Sequence, residues 1–244
     1  MADKKIIEVN GLSATFGDRE VLRDVSFSAY QGEVTVILGE SGSGKTTVLK
    51  HLLGLYDIQE GYVSIFNNNI NELNEDEQKD LYLKMGVFYQ NGGLLNSLTV
   101  GENVSLPLEQ HTHLDDDLIR RIVLTKLQLV HLNGVYDLFP SQLSGGMLKR
   151  AALARAMVMD PPLLFCDEPG AGLDPISLAS LDKLILNLRK ELGMSMVIIT
   201  HEVSSILRIA DRIVFIDEGK IIFTGKMKEA LESENKEVHD FFHI

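Results

Sequence analysis

A glycine-rich segment at residues 39–46 is the strongest chemical signal in the chain. It follows an apolar run and reads Gly39-Glu40-Ser41-Gly42-Ser43-Gly44-Lys45-Thr46, which fits the pattern G-x-x-x-x-G-K-[ST]. Glycines let the backbone curl so that amide N–H groups point at phosphate oxygens, and the helix that follows adds its positive dipole end. Lys45 can then reach the β- and γ-phosphates, and the Thr46 hydroxyl can bind Mg²⁺. The segment, called the phosphate loop below, predicts nucleotide binding but does not choose among GTPases, kinases and motor ATPases.

Two adjacent carboxylates form a second signal. Asp167 and Glu168 directly follow the apolar run Leu163–Cys166, which predicts a buried strand. Asp167 suits Mg²⁺, directly or through water, because this ion prefers oxygen ligands. Glu168 suits the polarisation of an attacking water. An acidic turn after a strand would explain the pair on its own, but the phosphate loop favours the catalytic interpretation.

A third signal is the segment Leu143-Ser144-Gly145-Gly146-Met147, called the signature segment below. It precedes a predicted helix at Met147–Met159. A serine and two glycines at a helix start offer a hydroxyl, free N–H groups and the positive end of the helix dipole. The segment is therefore a second candidate anion site, with a simple helix N-cap as the alternative.

Together these motifs resemble the ATP-binding cassette (ABC) family, whose signature is LSGGQ. The resemblance covers about residues 5–225. It implies an α/β fold: a P-loop NTPase (RecA-like) core with a mostly parallel sheet, an antiparallel β subdomain and an inserted α-helical subdomain. It also implies ATPase activity, with ATP and Mg²⁺ bound.

The same resemblance implies roles for further residues. Gln90 matches the residue that contacts Mg²⁺ and senses the membrane partner, and His201 matches a histidine that contacts the γ-phosphate. Phe16 stands where the family stacks an aromatic ring on adenine. The implied catalytic residues are Lys45, Glu168, Asp174 and His201, and the implied metal ligands are Thr46, Gln90 and Asp167. The implied nucleotide-binding residues are Phe16, Gly39, Ser41, Gly42, Ser43, Gly44, Lys45, Thr46, Thr47, Gln90, Ser144, Gly145 and Gly146.

Cassettes of this family work as dimers, so the resemblance implies a second copy of the chain as partner. ATP held by Lys45 and Thr46 of one copy would meet Ser144 and the two following glycines of the other. Hydrolysis would then loosen the dimer and drive separate permease subunits in the membrane.

Several loops narrow the resemblance to one branch. They are residues 89–100, 102–104, 106–109, 111–112, 149–151 and 167–176, taken with the signature segment. They resemble the Mla (maintenance of lipid asymmetry) branch, whose cassettes pair with a permease and an MCE-domain lipid-binding protein to move phospholipid between inner and outer membranes. Met147 replaces the usual signature glutamine, and Gly170 stands where threonine is frequent.

Composition and charge exclude some classes of function. The net charge of −12 argues against a nucleic-acid surface, which needs clustered Lys and Arg. No stretch approaches 18 consecutive apolar residues, and the N-terminus lacks the apolar region of a secretory signal. The expected place is the cytoplasmic face of the inner membrane, held there by other subunits. Cys166 is the only cysteine, so an internal disulfide is impossible.

Two alternative functions remain open from the sequence. One is the cassette of an importer for polar solutes such as amino acids, and the other is a soluble regulatory P-loop ATPase. A kinase would need a lid and an acceptor site, and the signature segment and His201 have no role there. Isolation from membranes with identification of the partners separates these classes.

The elements that must position these residues follow from periodicity and turn signals. Strands are predicted at Ile6–Val9, Val25–Ala29, Val34–Leu38, Val63–Phe66, Met85–Tyr89, Leu163–Cys166, Met196–Ile199, Ile213–Ile216 and Lys220–Phe223, the last two as a hairpin. Helices are predicted at about 46–55, 71–83, 100–106, 114–128, 147–159 and 176–192, with a turn at 67–69. This pattern predicts one domain over 1–244, with a core at about 1–89 and 159–225 and a helical subdomain at about 90–158.

The C-terminal tail and a pair of closely spaced histidines also allow predictions. The tail at about 226–244 is expected to be helical, with apolar residues that include Ile244, and to dock on its own domain; contact with a partner cassette is the alternative. His111 and His113 have the spacing of metal ligands without supporting Cys or carboxylate residues. They are interpreted as surface residues.

Overall fold

The computed structural model describes residues 4–243, in which ten strands and nine α-helices form. The strands are β1 Lys5–Phe16, β2 Arg19–Tyr30, β3 Val34–Leu38, β4 Glu60–Ile65, β5 Asn68–Asn69, β6 Met85–Phe88, β7 Leu163–Asp167, β8 Ser195–Ile199, β9 Arg212–Asp217 and β10 Lys220–Lys226. The helices are α1 Lys45–Leu52, α2 Glu75–Tyr82, α3 Val100–His111, α4 Asp116–Leu129, α5 Gly145–Ala156, α6 Pro175–Leu192, α7 Val203–Ile209, α8 Met227–Leu231 and α9 Lys236–Phe242. Within the described chain, no helix has the length and apolarity needed to cross a membrane.

The chain divides into two compact units. The first comprises Met1–Tyr82 and Ser195–Ile244, and the second comprises Leu83–Met194. The division predicted from the sequence, with a helical subdomain at 90–158, stays a prediction. The boundaries at residues 83 and 195 assign β6, β7 and α6 to the same unit as the helices α3 to α5.

In the first unit, β1, β2, β4 and β5 form an antiparallel sheet in the order β2-β1-β4-β5. Val9, Leu12 and Ala14 are buried, whereas Asn10 and Ser13 between them are exposed or half-buried, as expected for a sheet with one packed face. The predicted turn at 67–69 is misplaced. Phe66 and Asn67 both have positive φ and form the turn, so that Asn68–Asn69 pairs with β4 as β5.

The parallel strands of the first unit position the phosphate loop. β3 pairs in parallel with β8 on one side and with β9 on the other, and β10 pairs antiparallel with β9. All five residues of β3 are buried, which is typical of a central strand in a parallel sheet. The carboxyl ends of β3, β8 and β9 therefore lie at one edge, where ligands bind in folds of this class.

The second unit combines a strand pair with helices. β6 and β7 are parallel, with Phe88 opposite Cys166, and both residues are buried. The helices α3, α4 and α5 pack on one another, and each begins with a side-chain cap from Thr99, Asp115 or Ser144. The helix predicted at about 114–128 is observed as α4, and the Asp115 carboxylate caps its start by accepting from Leu118 N at 2.8 Å.

The tail is helical, as predicted, but it forms two short helices, α8 and α9. Val238 and Phe242 are buried, and the ring of Phe241 lies 5.3 Å from that of Phe215 in β9. The tail therefore docks on its own unit, whereas contact with a partner cassette stays a prediction. Ile244 lies outside the described residues. The helix α7, which follows β8, was not predicted.

Candidate active site

Two glycines of the phosphate loop, Gly39 and Gly44, lie where a side chain would be both strained and crowded. Gly39 has φ 148°, and a Cβ there would lie 1.9 Å from the carbonyl oxygen of Ile216. Gly44 has φ 111°, and a Cβ there would lie 2.7 Å from the Leu22 side chain. The neighbouring strands β9 and β2 therefore fix the path of the loop by close contact.

The loop presents polar groups that suit a phosphate. The first turn of α1 has no side-chain cap, since its N-cap residue is Gly44. The Ser43 hydroxyl is buried and, among the described residues, has no hydrogen-bond partner. Lys45 Nζ donates to the carbonyl oxygens of Gly39 at 2.9 Å and Glu40 at 2.7 Å, which holds it over the loop. A buried hydroxyl without a partner is costly, so the Ser43 hydroxyl fits an anionic ligand that accepts from it.

Two clefts open beside the phosphate loop within the first unit. One, of about 760 Å³, is lined by residues 18–21 and 23, loop residues 40–43 and the hairpin residues 217–219. The other, of about 210 Å³, is lined by Arg19, Val21, Gly42, Gly44, Lys45, Thr46 and Thr47. Arg19 lines both clefts. Sequence reasoning missed it, although a cation directly after the Gly17-Asp18 turn is the signal that indicates it.

Phe16 lies at the end of β1, paired in register with Arg19 of β2. Its side chain is 43% exposed, and its ring lies 5.1 Å from the ring of Tyr56. Because Arg19 lines both clefts and is paired with Phe16, the exposed ring of Phe16 lies beside these clefts, where such a ring can stack on a base. Tyr56 was not predicted and no motif marks it, because the contact joins residues forty positions apart.

His201 lies two residues beyond the end of β8, and its side chain is exposed. Ile199 of β8 is in register with Ile37 of β3, so His201 and the phosphate loop both follow parallel neighbours at the same edge. The contact with the γ-phosphate that the resemblance implies for His201 stays a prediction. Thr200, just before it, is buried, and its hydroxyl accepts from Glu202 N at 3.2 Å.

In the second unit, β7 delivers the two carboxylates to its carboxyl end. Asp167 is half-buried, whereas Glu168 is buried and has φ 47°, a left-handed conformation that side chains rarely adopt. Strained backbone of this kind is concentrated at functional sites. Burial raises the pKa of the neighbouring Cys166 thiol to about 12, so that thiol is inert and serves as a core residue.

The segment after Glu168 turns tightly into α6. Ala171 N donates to the Glu168 carbonyl at 3.1 Å, and Leu173 N donates to the Gly170 carbonyl at 3.1 Å. Asp174 caps α6, because its Oδ1 accepts from Ile176 N and Ser177 N, both at 3.0 Å. The hydrogen bond from the Ser177 side chain, with those from the backbone, lowers the pKa of the Asp174 carboxyl.

The signature segment begins α5 as an exposed helix start. Ser144 is the N-cap, and its Oγ accepts from Met147 N at 3.3 Å. A Cβ placed on Gly145 or Gly146 would meet no described atom within 4 Å. The packing of the chain itself therefore does not require glycine at these two positions, in contrast to the phosphate loop.

The loop that carries Gln90 is held by α5. Lys149 Nζ donates to the Gln90 carbonyl, and its ammonium lies 5.5 Å from the centre of the Phe88 ring. Arg155 donates to the carbonyl oxygens of Gly93 at 2.6 Å and Gly92 at 2.9 Å. The Gln90 side chain itself is exposed. Neither Lys149 nor Arg155 was predicted, since a helical cation has no distinguishing sequence pattern.

The implied site residues divide between the two units. The first contains Phe16, Gly39, Ser41, Gly42, Ser43, Gly44, Lys45, Thr46, Thr47 and His201, and the second contains Gln90, Ser144, Gly145, Gly146, Asp167, Glu168 and Asp174. The phosphate loop lies in the first unit, and the two carboxylates and the signature segment lie in the second.

The histidines with metal-ligand spacing are surface residues, as predicted. His111 ends α3, His113 follows it, and both are exposed. Among residues 4–243, no group of three or more His, Cys, Asp or Glu is arranged to hold a metal ion. The hydroxyl, amide and carboxylate oxygens of Thr46, Gln90 and Asp167 are the donor types that Mg²⁺ selects.

Comparison with known proteins identifies the family. The model of the ABC transporter family matches residues 22–171, which include the phosphate loop, the signature segment and both carboxylates. The chain is 38% identical, over 98% of its length and 90% of the relative's, to the intermembrane phospholipid transport system ATP-binding protein MlaF of Haemophilus influenzae. It is also 38% identical, over 97% of its length and 68% of the relative's, to the probable ribonucleotide transport ATP-binding protein mkl of Mycobacterium leprae.

Solved structures agree. A dimeric ATP-binding cassette in a post-hydrolysis state, bound to ADP and Pi, superimposes with a TM-score of 0.81 at 30% identity, over 91% of this chain and 98% of that one. The fold is the α/β P-loop NTPase fold, with parallel strands, a separate antiparallel sheet and helices, as the sequence predicted. The chain belongs to the ABC transporter family, as one of its ATP-hydrolysing cassettes.

Proposed function

We propose that the chain energises the movement of phospholipid between the inner and outer membranes, as the ATPase subunit of a transporter. The observation that carries the proposal is the similarity to the Haemophilus influenzae phospholipid transport protein, which extends over 98% of this chain and 90% of that one. The substrate itself is chosen by other subunits, which the cassette drives.

Ribonucleotide transport is the second candidate. The Mycobacterium leprae relative has the same 38% identity, and its name assigns it to ribonucleotides. The present chain covers only 68% of that relative, compared with 90% of the phospholipid transport protein. This difference in coverage favours the lipid assignment.

The nucleotide site is composite in this proposal. Lys45 and the amides of the phosphate loop hold the phosphates of ATP, and Phe16 stacks on the adenine. Ser144 and the glycines after it in a second copy of the chain close the site. Two observations support this arrangement: the open space around Gly145 and Gly146, and the dimeric state of the related cassette with ADP and Pi.

In this proposal, different residues of the chain bind the metal ion, orient the attacking water and contact the γ-phosphate during ATP hydrolysis. Thr46, Gln90 and Asp167 would hold Mg²⁺, which would supply charge neutralisation at the phosphates. Glu168 orients and polarises the water that attacks the γ-phosphorus, and His201 donates a hydrogen bond to the γ-phosphate oxygens. The products are ADP and inorganic phosphate. Asp174 holds the start of α6, so that the turn after Glu168 keeps its shape.

Transport follows from the loss of the bridging phosphate. With ATP cleaved, the charge that links the phosphate loop of one copy to the signature segment of the other is removed, and the dimer loosens. The loop at Gln90 passes this change to permease subunits at the cytoplasmic face of the inner membrane, where the cassette is bound peripherally. An MCE-domain protein is the lipid-binding partner in this scheme.

Native purification tests the proposal. The full chain, tagged, is isolated from membranes in lipid nanodiscs, and the bound subunits and lipids are identified by mass spectrometry. We expect a permease, an MCE-domain protein and bound phospholipid, together with ATP-dependent transfer of labelled phospholipid between vesicles. Lys45→Ala is the matched control, because it should keep the subunits and lose the transfer. A solute-binding partner without phospholipid, or ribonucleotide uptake by the same complex, would contradict the lipid assignment.

A further inference from the structure

Lys149 is a cation that none of the roles above uses. It lies in α5, five residues after the capping Ser144, and its side chain is half-buried. Its ammonium lies 5.5 Å from the centre of the ring of Phe88, which is 1% exposed. A half-buried lysine that gives up hydration needs compensating partners. Its position therefore calls for an explanation beyond solubility.

The partners of Lys149 come from two strand ends. Its ammonium donates to the carbonyl oxygen of Gln90, two residues beyond Phe88. Phe88 of β6 is in register with Cys166 of β7, so Gln90 and Glu168 occupy equivalent positions past neighbouring parallel strands. Lys149 therefore lies at the edge where the Gln90 loop and the two carboxylates emerge.

The causes of the shift in the pKa of Lys149 agree with its position near the two carboxylates. Burial lowers the pKa of the Lys149 ammonium, whereas the negative charges of Glu168 and Asp167 act on it in the opposite direction. The lysine thus lies within electrostatic reach of both carboxylates. In a partly dehydrated site such an attraction is stronger than at the surface.

Arg155 gives a useful contrast on the same helix. It donates to the carbonyl oxygens of Gly92 and Gly93, and its pKa is lowered by burial, with Tyr89 acting in the opposite direction. Arg155 therefore anchors the distal part of the Gln90 loop. Lys149 is the one of these two α5 cations on which Glu168 and Asp167 act.

We propose that Lys149 is a positioning residue for ATP hydrolysis, which ties the Gln90 backbone to the helix that begins at Ser144 and places a positive charge near the strand end that carries Glu168. It does not touch the nucleotide. Its effect passes through the Gln90 backbone, which it holds, and through the Glu168 carboxylate, on which its charge acts. The inference rests on the role proposed for Glu168.

The test uses the full chain in its membrane complex. Lys149→Met removes the charge and the donor, and Lys149→Arg keeps both. We expect Lys149→Met to lower kcat about thirtyfold with KM for ATP changed less than about threefold, because small misplacements of reacting groups cost rate rather than affinity. Lys149→Arg should recover at least about a third of kcat, and Lys183→Met, at an exposed position of α6, should match the wild type.

Two further readouts separate positioning from general structural support. In a Glu168→Gln background, Lys149→Met should have almost no additional effect on hydrolysis, because coupled residues are not additive. Amide hydrogen exchange at residues 90–94 should accelerate in Lys149→Met and stay slow in Lys149→Arg. If Lys149→Met loses the fold, Lys149→Gln, which keeps a donor without the charge, carries the same comparison.

The outcomes are distinct. An unchanged kcat in Lys149→Met or Lys149→Gln, or an undiminished additional loss in the Glu168→Gln background, would overturn the inference about Lys149. Near-normal hydrolysis in Glu168→Gln alone would instead overturn the role proposed for Glu168.

Discussion

Two glycine-containing helix starts, one in each unit, look alike in sequence and differ in structure. In the phosphate loop, Gly39 and Gly44 have positive φ and no room for a Cβ, since Ile216 and Leu22 lie against them. At the signature segment, Gly145 and Gly146 are the first two residues of α5 and have open space around them. The first site is shaped by its own unit. The second has glycines that its own packing does not need, which points to close approach by something outside the chain.

Gly39→Ala is expected to have the largest effect on stability and nucleotide binding, because contacts within the first unit fix the phosphate loop at this glycine. The substitution forces a left-handed residue and a contact of 1.9 Å with the Ile216 carbonyl. We expect a loss of about 2–4 kcal/mol in the free energy of unfolding and no measurable nucleotide binding. Denaturant unfolding and titration with a fluorescent ATP analogue measure both.

Gly17→Ala is the matched control. Gly17 has φ 61° but no described atom within 4 Å of a Cβ, so only the backbone cost of about 1 kcal/mol applies. Equal effects of the two substitutions would mean that steric closeness does not shape the phosphate loop.

Glu168→Gln sharpens the comparison by separating binding from hydrolysis. The amide keeps the size of the side chain but cannot act as a base, so kcat should fall by about 10²–10⁴ while ATP affinity changes little. The variant should also form a stable dimer with ATP, because the bridging γ-phosphate is not cleaved. Steady-state hydrolysis and size-exclusion chromatography with ATP check these outcomes. A variant that hydrolyses at the normal rate would remove Glu168 from its role.

A pair of substitutions tests the second helix start directly. Gly146→Ala should stabilise the chain by about 0.5–1 kcal/mol, since alanine is the better helix former and its Cβ meets no described atom. Ser144→Ala should destabilise it by about 1 kcal/mol through loss of the cap. Both should lower ATP hydrolysis.

Stability and activity would thus change in opposite directions for Gly146→Ala and together for Ser144→Ala. Denaturant unfolding and ATPase assays on the same preparations measure the two quantities. Full hydrolysis in the stabilised Gly146→Ala variant would contradict the composite site, because nothing would then need the open glycine.

The elements and motifs were predictable because their signals are local. The apolar run of β3 and the glycine pattern of the phosphate loop both depend on residues a few positions apart. The contacts that could not be predicted join distant segments. Tyr56 meets Phe16, and Lys149 meets Gln90, only because the sheet and helix bring them together. Likewise, the phosphate loop and the signature segment were both predicted as anion sites from the sequence. That packing within the chain restricts glycine in the phosphate loop, and not at Gly145 and Gly146, is visible only in the structure.

Asp174→Asn is expected to have the smallest effect on stability. This substitution tests whether the negative charge of the Asp174 carboxylate stabilises the start of α6. The hydrogen bonds from Ser177, side chain first, and from Ile176 N lower its pKa below the ordinary value of 3.8. A carboxyl with a lowered folded-state pKa stabilises the fold above its unfolded pKa and loses that contribution as pH falls through the folded pKa. Asp174→Asn keeps the cap geometry without the charge, so its Tm should be slightly below that of the wild type near pH 7, and the gap should close below about pH 4.

Ser177→Ala provides the control, since it removes the largest cause of the shift and should narrow the same gap without touching the carboxylate. Thermal unfolding at a series of pH values measures both variants against the wild type. A gap that is equal at neutral and acidic pH would show that the charge at Asp174 does not stabilise α6. If Asp174→Asn instead lowers kcat sharply while Tm is unchanged, the carboxylate acts in hydrolysis itself, and the turn after Glu168 carries a second functional acid.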